Sequence, residues 1–172
     1  GLQIAKKLGA RLVIGTSTNA ERRARLGEFG ADLALDSSDP SWVDAVLEAT
    51  DGNGVDLIVD QICGPMSTPN MRATKITGRI VNVGRLGGTH GEFDFNLHAL
   101  RRIRFIGVTF RTRGVEEVRE ITRRMTDDLQ PFIDAGELAL PVDREFPLDE
   151  AAAALEHMKA NRHFGKIALT VE

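Results

Sequence analysis

The stretch Val55-Asp-Leu-Ile-Val-Asp60 constrains the fold more than any other part of the chain. Its centre, Leu57-Ile58-Val59, is an unbroken apolar run with no polar alternation. That is the pattern of a strand covered on both faces, and such strands belong to parallel sheets whose crossovers are helices. Similar runs recur at Leu12–Thr16, Leu33-Ala-Leu35, Gly78–Gly84 and Ile103–Phe110. Because parallel neighbours cannot be joined by tight hairpins, the segments between them should be helical.

The intervening segments meet that expectation. Leu2, Ile4, Ala5 and Leu8 fall on one side of a short helix, with Lys6 and Lys7 in its last turn, where positive charge suits the dipole. Gly9 can take the left-handed position that ends it. Asn19 is an N-cap for a helix turning Ala24, Leu26 and Phe29 inward and stopping at Gly30. Asp39-Pro40 supplies a cap followed by proline at the first helical position, opening a helix with Trp42, Val43, Val46 and Leu47. Asp51-Gly-Asn-Gly54 is a turn, and a helix starts near Pro65. Val115, Val118, Ile121, Met125 and Leu129 share a helical face, which Pro131 should kink or end. A strand near Val142–Phe146, a capped helix over Asp149–Lys159 and a strand at Lys166–Val171 are more polar and follow a proline-marked turn. The expected architecture is α/β: a doubly wound parallel sheet over 1–136, then a strand–helix–strand extension over 137–172.

Composition narrows the function classes. A net charge of −3 leaves no electrostatic footprint for nucleic acid or an anionic membrane surface. No apolar run approaches the roughly 20 residues a membrane-spanning helix needs. The amphipathic N-terminal segment does not read as a signal peptide. The single cysteine, Cys63, excludes an internal disulfide and a cysteine-rich zinc site, which fits a reducing, cytoplasmic setting. Histidines 90, 98, 157 and 163 show no ligand spacing and read as surface or loop residues, so no metal is expected in this chain.

Several segments, taken in order, resemble the cofactor-binding half of medium-chain dehydrogenases/reductases, and within them the NADPH-dependent quinone oxidoreductase branch. They are Lys-Lys-Leu-Gly-Ala at 6–10, Phe-Gly-Ala-Asp at 29–32, Val-Asp-Leu-Ile-Val-Asp at 55–60 and Gly-Arg-Ile-Val-Asn-Val-Gly at 78–84. Phe-Arg-Thr-Arg at 110–113, Phe-Pro-Leu-Asp-Glu-Ala at 146–151 and His-Phe-Gly-Lys-Ile at 163–167 follow. The resemblance implies a Rossmann sheet with strand order 3-2-1-4-5-6. Gly1 then aligns with the last glycine of the pyrophosphate turn. The first strand and the catalytic domain are expected upstream of it, so this chain should carry a Rossmann sheet lacking its first strand.

NAD enzymes place an Asp or Glu at the end of the second strand to bind the ribose hydroxyls. Here Thr16, Ser17, Thr18 and Asn19 stand there, neutral groups able to donate to a 2′-phosphate. Arg22, one turn into the helix, can offer a forked guanidinium. In the resembling reductases a matching Lys or Arg contacts that phosphate, which implies NADP(H) in preference to NAD(H). Arg22 and Arg23 can also be read as solvated helix residues, and Asn19 as a cap alone. The branch's Tyr near the same phosphate is absent, and Ser37 replaces it, which weakens the expected selectivity.

Further implied cofactor contacts are Gln61, in the loop that borders the nicotinamide ribose, and Gly84 and Arg85, along the cofactor backbone. Arg85 reads equally as a loop charge. Cys63 stands where the family has a glycine, which should crowd the cofactor. Phe110 and Arg111 match the segment that binds the nicotinamide carboxamide, and Asn161 the C-terminal stretch that returns to the cleft. No catalytic acid or base is assigned. The implied activity is hydride transfer from NADPH to a quinone or an α,β-unsaturated carbonyl, its substrate held by the upstream domain. The alternatives are a zinc-dependent alcohol dehydrogenase or a non-catalytic dinucleotide-binding fragment. The strand at 103–110 is implied to lie at the sheet edge and pair with its copy in a homodimer.

Overall fold

Two separate short parallel sheets carry the first part of the chain. A computed structural model describes Gly1 to Val171. It divides into two units, Gly1–Arg124 and a second that begins at Met125. In the first, α1 (Leu2–Lys7), β1 (Ile14–Thr16), α2 (Ala20–Ala24), β2 (Leu33–Leu35), α3 (Trp42–Glu48) and β3 (Val55–Asp60) alternate. They are followed by α4 (Ser67–Ala73), β4 (Thr74–Asn82), α5 (Phe95–Arg101) and β5 (Arg104–Gly107), while α6 (Val115–Asp134) begins in the first unit and ends in the second. β1 pairs with β2, and β3, β4 and β5 lie side by side in that order. The chain is therefore α/β with Rossmann-like parallel sheets, as its alternation of strands and helices predicts.

Helices bridge the two sheets. Trp42 and Val46 of α3 and Ala73 of α4 form a buried cluster that takes in Ile14 and Leu35 from one sheet and Val55 and Ile58 from the other. A second cluster, Met71, Ile80 and Ile103, packs against Ile58, Phe93, Leu97 and Phe105. Met71 and Ile80 are fully buried, and each such side chain contributes roughly 1.5–3 kcal/mol. Parallel register puts Ile58, Ile80 and Phe105 in one row across the three strands.

The opposite face departs from expectation. Leu57 is 43% and Val59 54% exposed, so β3 is not covered on both sides. The reason is positional: β3 pairs only with β4, and the helices that pack on it lie on the Ile58 side. An unbroken apolar run reports what a strand is suited to, not what covers it.

Other boundaries shift for local reasons. α3 begins at Trp42 rather than at Pro40, because the Asp39 carboxylate turns the chain by accepting from the amide and hydroxyl of Ser41. β5 ends at Gly107, short of the strand expected to reach Phe110. α6 runs through Pro131 to Asp134, since the residues beyond it still find acceptors, the Ala135 amide donating to the Pro131 carbonyl at 3.1 Å. No residue of α6 is buried, although its apolar positions fall on one face.

In the second unit β6 (Val142–Pro147) pairs in parallel with β7 (Lys166–Thr170) across α7 (Ala151–Lys159). A 3₁₀ turn over Leu148–Glu150 precedes α7, in place of the cap expected at Asp149. Asp143 ties the unit together: one carboxylate oxygen accepts from the Phe164 amide at 2.9 Å, and the other lies 2.8 Å from His157 Nε2. His157 is thus a partly buried, partnered helix residue rather than a surface one. No helix among the described residues is long and apolar enough to cross a membrane.

Candidate functional site

The strand ends that carry the candidate residues are built in two different ways. After β1, the chain is held by side chains. The Ser17 amide donates to the Leu35 carbonyl at 3.0 Å, closing the end of the β1–β2 pair. Asn19 Oδ1 accepts from the Arg22 amide at 2.9 Å, a side-chain cap on α2. Ser17 Oγ accepts from the Asn19 amide at 3.3 Å. Thr16, Thr18 and Asn19 remain exposed, with Ser17 and Arg22 half-buried.

Arg23 is not a solvated helix residue. Its guanidinium donates to the Ser17 carbonyl at 2.8 Å and to Asp36 at 2.9 Å, pinning the β1 loop to the end of β2. Hydrogen bonds from the hydroxyl and amide of Ser38, with the nearby Arg23 guanidinium, hold the Asp36 carboxyl below its usual range. Asp36 is thus a negative charge neutralised within the loop cluster, a role that sequence inspection missed. The available signal was an Asp directly after Leu35, facing an Arg-rich helix start.

After β3 and β4, backbone does the holding. The amides of Val83 and Gly84 both donate to the Asp60 carbonyl, at 2.8 and 3.1 Å. The Leu86 amide donates to the Gln61 carbonyl at 3.1 Å, and the Gly87 amide to that of Ile62 at 2.8 Å. Gln61 and Gly84, singled out separately, are therefore brought together. A Cβ at Gly84 would stand 2.4 Å from the Gln61 carbonyl oxygen, so only glycine permits this approach.

Asp60 organises the same loop and was also missed. It is only 4% exposed, and its Oδ1 accepts from the amides of Ile62 and Cys63, each at 2.9 Å. Its Oδ2 is buried with no hydrogen-bond partner among the described residues. Cys63 sits at φ 60°, ψ −151°, a region almost reserved for glycine, so the cysteine keeps the backbone of the residue it replaces. Arg85 is exposed on the loop beyond Gly84.

The remaining candidates lie apart from this pair of loops in sequence. Past β5 the Val108 amide still reaches the Asn82 carbonyl at 3.1 Å, and the chain then turns. Phe110 is 59% exposed with the Arg113 guanidinium 5.7 Å from its ring, and the Arg111 amide donates to Thr109 Oγ1 at 3.2 Å. Gly1 is exposed at the start of α1, where its carbonyl accepts from the Ala5 amide. Asn161 belongs to the second unit, at φ 52° just beyond α7.

Comparison with known proteins bears on the family and the fold. The family model for zinc-binding dehydrogenase matches residues 1–127. A mycocerosic acid synthase-like polyketide synthase of Mycolicibacterium smegmatis is 27% identical over 171 residues, 99% of this chain but 8% of its own length. A crystal structure of an NAD-dependent alcohol dehydrogenase superposes with a TM-score of 0.83 at 28% identity, covering 99% of this chain and 47% of that one. A mycobacterial protein solved with NADPH shares the fold, with a TM-score of 0.81 at 22% identity over 99% of this chain and 53% of its own. The chain thus spans about half the length of these solved relatives and a small part of the synthase. Among the described residues no group of three or more His, Cys, Asp or Glu side chains is placed to hold a metal ion, so this donor set does not fit a zinc centre.

Proposed function

Because the chain belongs to the zinc-binding dehydrogenase family and forms a dinucleotide-binding part of it, we propose that it selects and orients NADP(H). The enzyme it serves transfers hydride to a quinone or an α,β-unsaturated carbonyl. The cofactor supplies the hydride chemistry when bound; the residues here bind it and fix its position. The observation that carries the reading is the loop after β1. It ends the strand in Thr16-Ser17-Thr18-Asn19, without a carboxylate of its own, and leads directly into Arg22. Asp36, at the end of β2, is paired with Arg23 at 2.9 Å, so its charge is offset within the loop cluster, and Glu21 in the first turn of α2 is the carboxylate next to Arg22 in sequence.

In this reading Gly1 lies by the pyrophosphate, and Gln61, Gly84 and Arg85 line the path towards the nicotinamide. Phe110 and Arg111 follow on the nicotinamide side from later in the same unit, and Asn161 is a separate candidate cofactor contact in the second unit. Residues 1–136 form the cofactor domain, and 137–172 return towards a catalytic domain that contributes the substrate pocket. β5 ends its sheet, so its free edge supports a homodimer formed by pairing with its copy, which would also shield it. A cytoplasmic enzyme fits one free cysteine.

Titrating the protein into NADPH and NADH and following reduced-nicotinamide fluorescence tests the reading. Saturable enhancement with NADPH is expected; no response to either dinucleotide overturns it.

A further inference from the structure

The opposite end of the β3–β4–β5 sheet, where the strands begin, holds a second concentration of charge. A cleft of about 210 Å³ is lined by Asp56, Lys75, the turn over residues 76–79 and Arg104. Parallel register sets Arg79 of β4 directly beside Arg104 of β5. Adjacent strands are only about 4.8 Å apart, so the two side chains leave the same face as close neighbours. Like charges placed opposite each other destabilise a sheet unless something compensates. Neither guanidinium has a hydrogen-bond or ion-pair partner among the described residues. Lys75, by contrast, is paired with Asp56 at 3.2 Å. The cleft therefore carries three cations against one carboxylate, and that carboxylate is already engaged.

The turn that lines the cleft is tightly constrained. Thr77 takes a left-handed φ of 64°, rare for a residue branched at Cβ. A Cβ on Gly78 would meet Thr74 Cγ2 at 2.6 Å and the Lys75 carbonyl oxygen at 2.8 Å, so no larger residue fits that turn. Thr77 lines the cleft, and its hydroxyl has no hydrogen-bond partner among the described residues. Two adjacent guanidinium forks and a hydroxyl supply more donors than a single carboxylate accepts, and they match the tetrahedral oxygens of a phosphate.

We infer that this cleft binds a phosphate dianion, free or as a monoester, between Arg79 and Arg104, at the end of the sheet opposite the dinucleotide loops. The test follows the arginine Nε–H resonances of the full chain at constant ionic strength. Inorganic phosphate, glycerol phosphate and chloride are each titrated. Expected are saturable shifts of the Arg79 and Arg104 signals with both phosphates and none with chloride. Arg79→Gln and Arg104→Gln should each weaken binding at least tenfold, whereas Arg102→Gln, just outside the cleft, should not. Tighter binding of glycerol phosphate identifies an ester as the natural ligand; equal or tighter binding of inorganic phosphate identifies the free ion. The inference is overturned if the shifts do not saturate, if chloride reproduces them, or if folded variants, checked by circular dichroism, bind as the parent does.

Discussion

The loops after β3 and β4 are locked to one another by main-chain hydrogen bonds, whereas the loop after β1, beyond the one Ser17–Leu35 main-chain bond, is held by side chains: the Asn19 cap and the Arg23 guanidinium on Ser17 and Asp36. The contrast separates two tasks. Where a ligand's backbone must pass close to the protein's own, glycine and amide geometry set the limits, and side chains have little room. Where one ligand must be told from another, the chain offers the exposed hydroxyls of Thr16 and Thr18 and the guanidinium of Arg22, outside the main-chain pairing of the strands. Stability should thus depend on the first region and selectivity on the second.

The strongest way to break this division is at Gly84. Substitution by Ala drives a methyl group against the Gln61 carbonyl, and a fold loss of about 2–3 kcal/mol is expected in urea denaturation. A loss below about 0.5 kcal/mol would show that the two loops can part, and that backbone locking is not what distinguishes them.

Cys63→Gly probes the same region in the favourable direction. Releasing a side chain from a glycine-type conformation should stabilise the protein by roughly 1 kcal/mol, after allowing for glycine's greater freedom when unfolded. A lower urea midpoint would mean that packing of the thiol outweighs the strain.

In the β1 loop the effects should be smaller. Asn19→Ala removes the cap on α2, at an expected loss of about 1 kcal/mol, with Asn19→Asp retaining most of it. Asp36→Asn sharpens the electrostatic part. Because the folded protein holds this carboxyl below its ordinary value of 3.8, its contribution is fully present above that value. It is lost as pH falls through the folded value. The urea midpoint of the parent should therefore exceed that of the variant at neutral pH, and the gap should close below about pH 4. A gap independent of pH would assign the effect to packing instead.

What could be read from sequence divides along the same line. Alternation of apolar runs with capped helical segments was enough for the α/β class, because strand burial and helix caps are local signals. The cap at Asn19, the turn at 51–54 and the left-handed Gly30 are all where short-range chemistry puts them. The exposure of Leu57 and Val59 was not legible, since it depends on what lies beside β3 rather than on β3. Nor was the short β5: Val108 to Phe110 are good strand formers, but only Arg104–Gly107 pair with β4. Within the site, the residue types at Thr16–Asn19 were readable. The Arg23–Asp36 pair and the Asp60 clamp were not, because each depends on side chains brought together across strand ends. Gln61 and Gly84 each stood out alone, yet their contact exists only in the parallel register of β3 and β4.

The central claim, that the β1 loop chooses the cofactor while the glycine loops hold its shape, is tested most directly by calorimetric titration. NADPH and NADH are compared on the parent chain and on Arg22→Gln. The account predicts at least tenfold tighter binding of NADPH by the parent, and a variant in which that preference disappears while NADH affinity is unchanged. Equal affinities in the parent, or a variant that loses both dinucleotides together, would contradict it.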